Sequence, residues 1–167
     1  ALSIVVKKVP KVHLIIVGDR STEQRKMFEN MSKQLSIEEY VTFTGWVTFN
    51  EAMDYMQISD LTVIPHLNTP QTNTTIPHKI FQSMYLKKPV VVSDVKPMKR
   101  IVEETKCGIT FQAGNHEQLA NSILKLMKNP GLMREMGEKG QKAVLNKYNW
   151  NVDGERLLQL YVQLENE

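Results

Sequence analysis

A chain of 167 residues with 41% hydrophobic and 23% charged content is long enough to bury one α/β core. Its formal charge of +3 suits an anionic ligand or an anionic membrane surface, and is too small to argue for nucleic acid. The single cysteine, Cys107, excludes an internal disulfide and reads as a small buried residue beside Gly108. No apolar run is long enough to span a bilayer and no signal peptide is visible. The expected setting is therefore cytoplasmic, with peripheral contact to the cytoplasmic membrane face left open by the charge.

Residues 1–9 read two ways. β-Branching favours a strand over 1–6, while Leu2, Val5, Val6 and Val9 also make a helical face. Residues 12–17 form a buried strand stopped by Gly18-Asp19. Ser21 with Gln24 predicts a capping box and a helix whose apolar stripe is Met27, Phe28, Met31 and Leu35. Residues 40–44 are the next strand, closed by Gly45. Thr48 with Glu51 is a second capping box and starts a short helix. Residues 61–64 are a strand stopped by Pro65.

Residues 73–94 organise the rest. A Thr/Asn run leads into a helix in which Ile76, Ile80 and Met84 recur at four-residue steps, with Pro77 in its first turn. Pro89 restarts the chain, and Val90-Val91-Val92 reads as a buried parallel strand. Polar loop, helix and buried strand can present free backbone N–H groups to an anion. Beyond this lie a short helix after Pro97, a strand over 108–111 and three helices. Asn115 caps the first, Asn129-Pro130 starts the second, and the third runs from Trp150 with Leu157, Leu158, Tyr161 and Leu164 on one side. Alternating strands and helices predict a Rossmann-like parallel sheet with helices on both faces, whose ligands bind outside the strand C-termini.

Six segments in order and spacing resemble the C-terminal, donor-binding domain of a GT-B glycosyltransferase of group 1 (family 4). They are residues 12–19, 41–47, 59–65, 77–93, 107–114 and 148–164. The resemblance implies a donor half that binds a nucleotide-diphosphate sugar for transfer to an acceptor hydroxyl on a glycan or lipid-linked glycan, with no cofactor and no metal. It implies a nucleobase pocket at Gly45, Trp46 and Val47, and a diphosphate seat at Thr74, Thr75 and Ile76. Gln82 stands where the family has the glutamate that holds the ribose hydroxyls. Thr74 stands in place of the first glutamate of the same motif, and Lys87 in place of a glycine before the proline. A glutamine accepts through one oxygen and donates through its amide, so ribose binding survives but weakens.

Gly18 and Arg20 follow a strand at the mouth and join the expected donor-binding set, as do His78 and Lys79. Lys79 reads as a phosphate counter-charge or as a packed stem with a solvated ammonium. His66 reads as a solvated loop residue. Lys87, Lys88, Lys96, Lys99 and Arg100 read as a solvated basic face, with anionic lipid as the sharper alternative. Asp60 and Asp94 are rejected as a catalytic pair, because Asp60 precedes its strand. The resemblance aligns residues 1–9 with the family's first helix. The expectation is thus one nucleotide-sugar-binding domain over 1–167, a fragment without its first, central strand and without the N-terminal acceptor domain that would hold the catalytic base. Two other classes stay open: a non-catalytic nucleotide-binding module of GT-B fold, and a GT-B-like sugar-nucleotide epimerase.

Overall fold

The computed structural model describes residues 1–18 and 21–165. In chain order the elements are α1 (Leu2–Val6), β1 (Leu14–Ile16), α2 (Thr22–Gln34), β2 (Val41–Phe43), α3 (Phe49–Ile58), β3 (Thr62–Ile64), α4 (Lys79–Tyr85), β4 (Val90–Ser93), α5 (Lys96–Thr105), β5 (Gly108–Phe111), α6 (His116–Met127), α7 (Pro130–Asn146) and α8 (Trp150–Glu165). Every strand pairing is parallel. The α/β class with flanking helices is therefore as expected from sequence.

The pairing falls into two groups. β1 lies beside β2, with Leu14 opposite Val41, and β3-β4-β5 form a second group. Among the described residues β1 pairs with β2 alone and β3 with β4 alone, so each has a free edge. Within each group the parallel neighbours follow chain order, as in one half of a doubly wound sheet.

β4 is the centre of the core. All its residues are buried, and it pairs on both sides. Val90 and Val92 pack with Ile80, Met84, Met98 and Ile101 from α4 and α5. Val91, on the other face, packs with Phe111 and Leu126. The period-2 alternation of a strand thus divides one valine run between two helical layers. Cys107 lies in the first of these clusters, buried as expected.

The open reading of residues 1–9 resolves as a helix. Its buried stripe differs from the expected one: Val5 is fully buried, and Ala1, Ile4 and Val9 flank it against Ala120 and Leu124 of α6. The Thr48 box is complete in both directions, whereas Ser21 only accepts from the Gln24 amide, at 3.4 Å. The α2 stripe is not covered: Met27, Met31 and Leu35 are each about half exposed. α8 forms over the expected span, and its Trp150, Leu158 and Tyr161 are exposed. No helix among the described residues is long and apolar enough to cross a membrane.

α7 crosses α4 at very short range. A Cβ built on Gly137 would lie 2.1 Å from the Lys87 carbonyl oxygen, and one on Gly140 would lie 3.1 Å from Cys107 Cβ. Lys87 itself turns the chain out of α4 at φ +57°, a left-handed conformation that explains why the family resemblance places glycine there. Gly137→Ala is expected to lower unfolding free energy by about 1–3 kcal/mol, because backbone must move. Gly131→Ala on the same helix, where an added Cβ would make only an ordinary contact with Asn129 Oδ1 at 3.5 Å, is expected to be neutral or to gain up to about 1 kcal/mol. Urea unfolding of the two variants checks the contrast.

Candidate functional site

The mouth lies where the strands end. Gly18 follows β1 at φ +108° and Gly45 follows β2 at φ +72°. The two glycines bridge each other, and the Gly18 amide donates to Thr44 Oγ1 at 3.3 Å. The Thr44 hydroxyl in turn donates to the Gly45 carbonyl at 2.9 Å. These bonds hold together two turns that the sequence assigns to one pocket. Trp46 stands out at 76% exposure, and Val47 is half-buried. Arg20, expected beside Gly18, lies outside the described residues.

Arg25 is a cation that the sequence reading missed. A Cβ on Gly45 would sit 3.6 Å from its Nη1, so the guanidinium borders the Gly45 turn. Its Nε donates to Glu29 at 3.0 Å, which fixes the side chain along α2. The available signal was position: Arg25 lies in the first turns of the helix that begins just beyond Gly18.

The loop after β3 is held by its own polar side chains. Thr72 Oγ1 donates to the Leu67 carbonyl at 2.6 Å, and Asn73 Nδ2 donates to the Thr69 carbonyl at 2.9 Å. Thr74 and Thr75 both donate their hydroxyls to the Gln71 carbonyl at 3.0 Å. Those hydroxyl protons therefore face the loop, and what remains on the outside is backbone. The N–H groups of Thr75, Ile76, His78 and Lys79 find no acceptor among the described residues. Thr75, His78 and Lys79 are exposed and Ile76 is half-buried, so this corner lies at the surface.

α4 begins later than expected. Pro77 lies before the helix rather than in its first turn; its carbonyl accepts the Ile80 amide at 3.1 Å, and His78 is the N-cap residue without a side-chain capping bond. With α4 only seven residues long, the free amides of the turn matter more than the helix dipole. Lys79 and Gln82 are three apart, and His78 and Gln82 four apart, so all three share one side of the helix. Gln82 is half-buried, and its side chain makes no hydrogen bond among the described residues.

His66 belongs with this group more closely than expected. Partial burial, and then the charge of Lys79, hold its imidazole below the ordinary 6.5, so it is neutral at pH 7. Asp94 is structural, since its Oδ1 accepts the Ala113 amide at 2.9 Å. Asp60 precedes β3, at the opposite end of the sheet from Asp94, and the two form no pair.

The arrangement offers an anion a row of free amides, one lysine and an unpaired glutamine at the carboxyl edge of a parallel sheet. The sequence model of the family described as "Glycosyl transferases group 1" matches residues 1–143. The chain belongs to this family. It is 25% identical over 150 residues to the phosphatidyl-myo-inositol mannosyltransferase of Mycobacterium leprae, a match covering 90% of this chain and 37% of that protein. Sucrose-phosphate synthase of Thermosynechococcus elongatus superposes with a TM-score of 0.80 at 23% identity, over 99% of this chain and 41% of that one. Anabaena HepE in complex with UDP superposes at 0.82 with 20% identity, over 96% of this chain and 44% of that one. The chain spans 30–43% of the length of the curated relatives it matches.

The His66 shift has a pH signature. The folded state resists protonating this imidazole, so the unfolded state binds more protons as pH falls. Stability contributed by neutral His66 is complete above its unfolded value near 6.5 and is lost as pH falls from there toward the lower folded value. The urea midpoint is expected to drop between pH 7 and 5, and His66→Asn is expected to flatten that drop.

Proposed function

We propose that this chain is the donor half of a glycosyltransferase. It seats a nucleotide-diphosphate sugar whose sugar passes to an acceptor hydroxyl on a glycan or lipid-linked glycan. In that reaction the bond from the anomeric carbon to the diphosphate breaks and a bond to the acceptor oxygen forms. The acceptor proton goes to a base, and the bonding pair leaves with the diphosphate.

One observation carries this reading: the unpaired, accessible amides of Thr75, Ile76, His78 and Lys79 beside the Lys79 ammonium. Fixed N–H donors and a cation stabilise the charge that gathers on a departing diphosphate without reorganising in the transition state. Gly45, Trp46 and Val47 take the nucleobase, and Gln82 takes the ribose hydroxyls. Family membership and the UDP held by HepE support the assignment. The base, the donor sugar's selector and the acceptor site belong to further polypeptide. The exposed Leu157, Leu158, Tyr161 and Leu164 of α8 suit a contact with it. This reading places the protein in the cytoplasm, where such donors are made.

Titration calorimetry with UDP, GDP and ADP tests the reading, with AMP and free sugars as controls. One diphosphate is expected to bind in the micromolar to millimolar range; no heat with any of them, from a folded sample, overturns it. Gln82→Glu is expected to tighten the preferred diphosphate by about fivefold, since charge-assisted bonds to two hydroxyls replace neutral ones. Gln82→Ala is expected to weaken it by a similar factor.

The fragment reading follows from the same proposal. A parallel strand from outside residues 1–167 fills the place between β1 and β3. Support comes from the two free edges, one on β1 and one on β3. A free edge exposes unpaired backbone groups, and a half-covered apolar stripe loses burial. Amide exchange over Leu14–Ile16 and Thr62–Ile64 is expected to be at least tenfold slower in a longer protein that carries the strand. Equal protection of both edges in the 167-residue monomer, with a cooperative melt, overturns this reading.

A further inference from the structure

The seat has a second wall. The loop before α4 and the first turns of α5 leave a shallow groove of about 290 Å³, lined by Thr74, Ile76, Lys96, Pro97 and Arg100. Asn73 Oδ1 accepts the Lys96 amide at 3.1 Å, which ties loop and helix together. The end of α5 itself has little to offer an anion. The Lys96 amide is taken, Pro97 has none, and the Lys99 amide returns to the Val95 carbonyl at 2.9 Å. The positive character of this groove therefore comes from side chains.

Lys96 and Arg100 are four residues apart and exposed on the same side of α5, while Met98, Ile101 and Val102 anchor the opposite side in the core. Like charges at this spacing repel across one helical turn. Among the described residues neither forms an ion pair within 4.0 Å. The neighbouring Lys99 pairs with Glu103 at 3.8 Å, and Glu104, one turn beyond Arg100, is occupied by Lys147 and Tyr148. The carboxylates of α5 thus make their close contacts with other partners; Arg100 keeps a longer-range attraction to Glu104, and neither cation facing the loop is neutralised by a direct ion pair among the described residues. An oxyanion lying in the groove relieves their repulsion and can receive a bidentate guanidinium.

We propose that Lys96 and Arg100 bind the outer, sugar-linked phosphate of the nucleotide diphosphate, across the groove from the loop amides. This gives the two residues a role beyond that of a solvated face. It rests on the proposed donor function and adds to it a cationic wall contributed by the helix after β4. A groove sharing Thr74 and Ile76 with the amide row puts both sets of donors around one anion.

The test compares the preferred nucleoside diphosphate with its monophosphate on the wild-type chain, Lys96→Gln/Arg100→Gln, and Lys99→Gln as the control. The double variant is expected to bind the diphosphate about tenfold more weakly, to leave the monophosphate unchanged, and to lose part of the salt dependence of binding. Arg100→Lys alone is expected to retain most of the affinity. Both residues are exposed, so an unchanged melting temperature shows that the fold is kept. An unchanged diphosphate-to-monophosphate ratio in the double variant, with wild type binding normally, overturns the inference and leaves the donor function standing. Absence of diphosphate binding by the wild type overturns both.

Discussion

Everything at the mouth depends on a strand that has no exposed residue. β4 is paired on both sides and covered on both faces, so its end point cannot drift. The helix before it, α4, is pressed onto it by α7, whose Gly137 meets the Lys87 turn with no room for a methyl group. Phe81 of α4 stacks on Tyr148 at 5.3 Å between ring centroids, and the Tyr148 hydroxyl donates to Glu104 of α5 at 2.9 Å. The residues following α7 therefore clamp α4 and α5 in one operation. These are the two helices whose leading ends face the amide row and the cationic groove. Packing in the distal part of the chain is what makes the geometry of residues 73–79 and 95–100 reproducible.

Within that frame the chemistry is divided between backbone and side chains. The loop directs its threonine hydroxyls and the Asn73 amide N–H back onto itself, with Asn73 Oδ1 reaching α5, which leaves its late amides as fixed, outward donors. Such donors carry partial charge and cannot change protonation state. The full charges stand around them, with Lys79 on α4 and Lys96 and Arg100 on α5. His66, held below its ordinary value by partial burial and by the charge of Lys79, adds no full positive charge at pH 7 and so limits mutual repulsion at the site. An anion arriving here meets donors held by hydrogen bonds and packing rather than floppy surface lysines alone.

Much of this was legible in the sequence because the signals are local. Thr48 with Glu51, Asn115 and Asn129-Pro130 mark helix starts through bonds made within four residues, and the structure places them there. The valine run after Pro89 is a buried strand because β-branched residues without polar alternation leave no solvent face. What the sequence hid was non-local. The stripe of Met27, Met31 and Leu35 predicts a covered helix face, yet its cover is not among these residues. Residues 1–9 suit strand and helix equally, and the choice is made by Ala120 and Leu124, more than a hundred positions away. Ile76 and Pro77 continue the helical period, but the chain there turns toward the loop, so α4 starts two residues beyond Pro77. Arg25 was marked only by its position early in the helix beyond Gly18, and His66 comes near Lys79 through tertiary structure for which no spacing gives a cue.

The two departures from the family pattern carry a physical consequence of their own. Where the resemblance expects two carboxylates, this chain has Thr74 and Gln82, so the pocket loses two negative charges near a doubly charged ligand. Each lost carboxylate weakens hydroxyl recognition but also removes a repulsion toward the diphosphate. In the proposed seat, Lys79 together with Lys96 and Arg100 moves the balance from sugar hydroxyls toward phosphate. A site of this kind holds its donor mainly by the charged end, and it discriminates among sugars through groups that lie elsewhere. Under the proposed donor function, selectivity for the transferred sugar falls to groups other than Thr74, whose hydroxyl proton is directed to Gln71 and which leaves that side of the pocket without a charged reader.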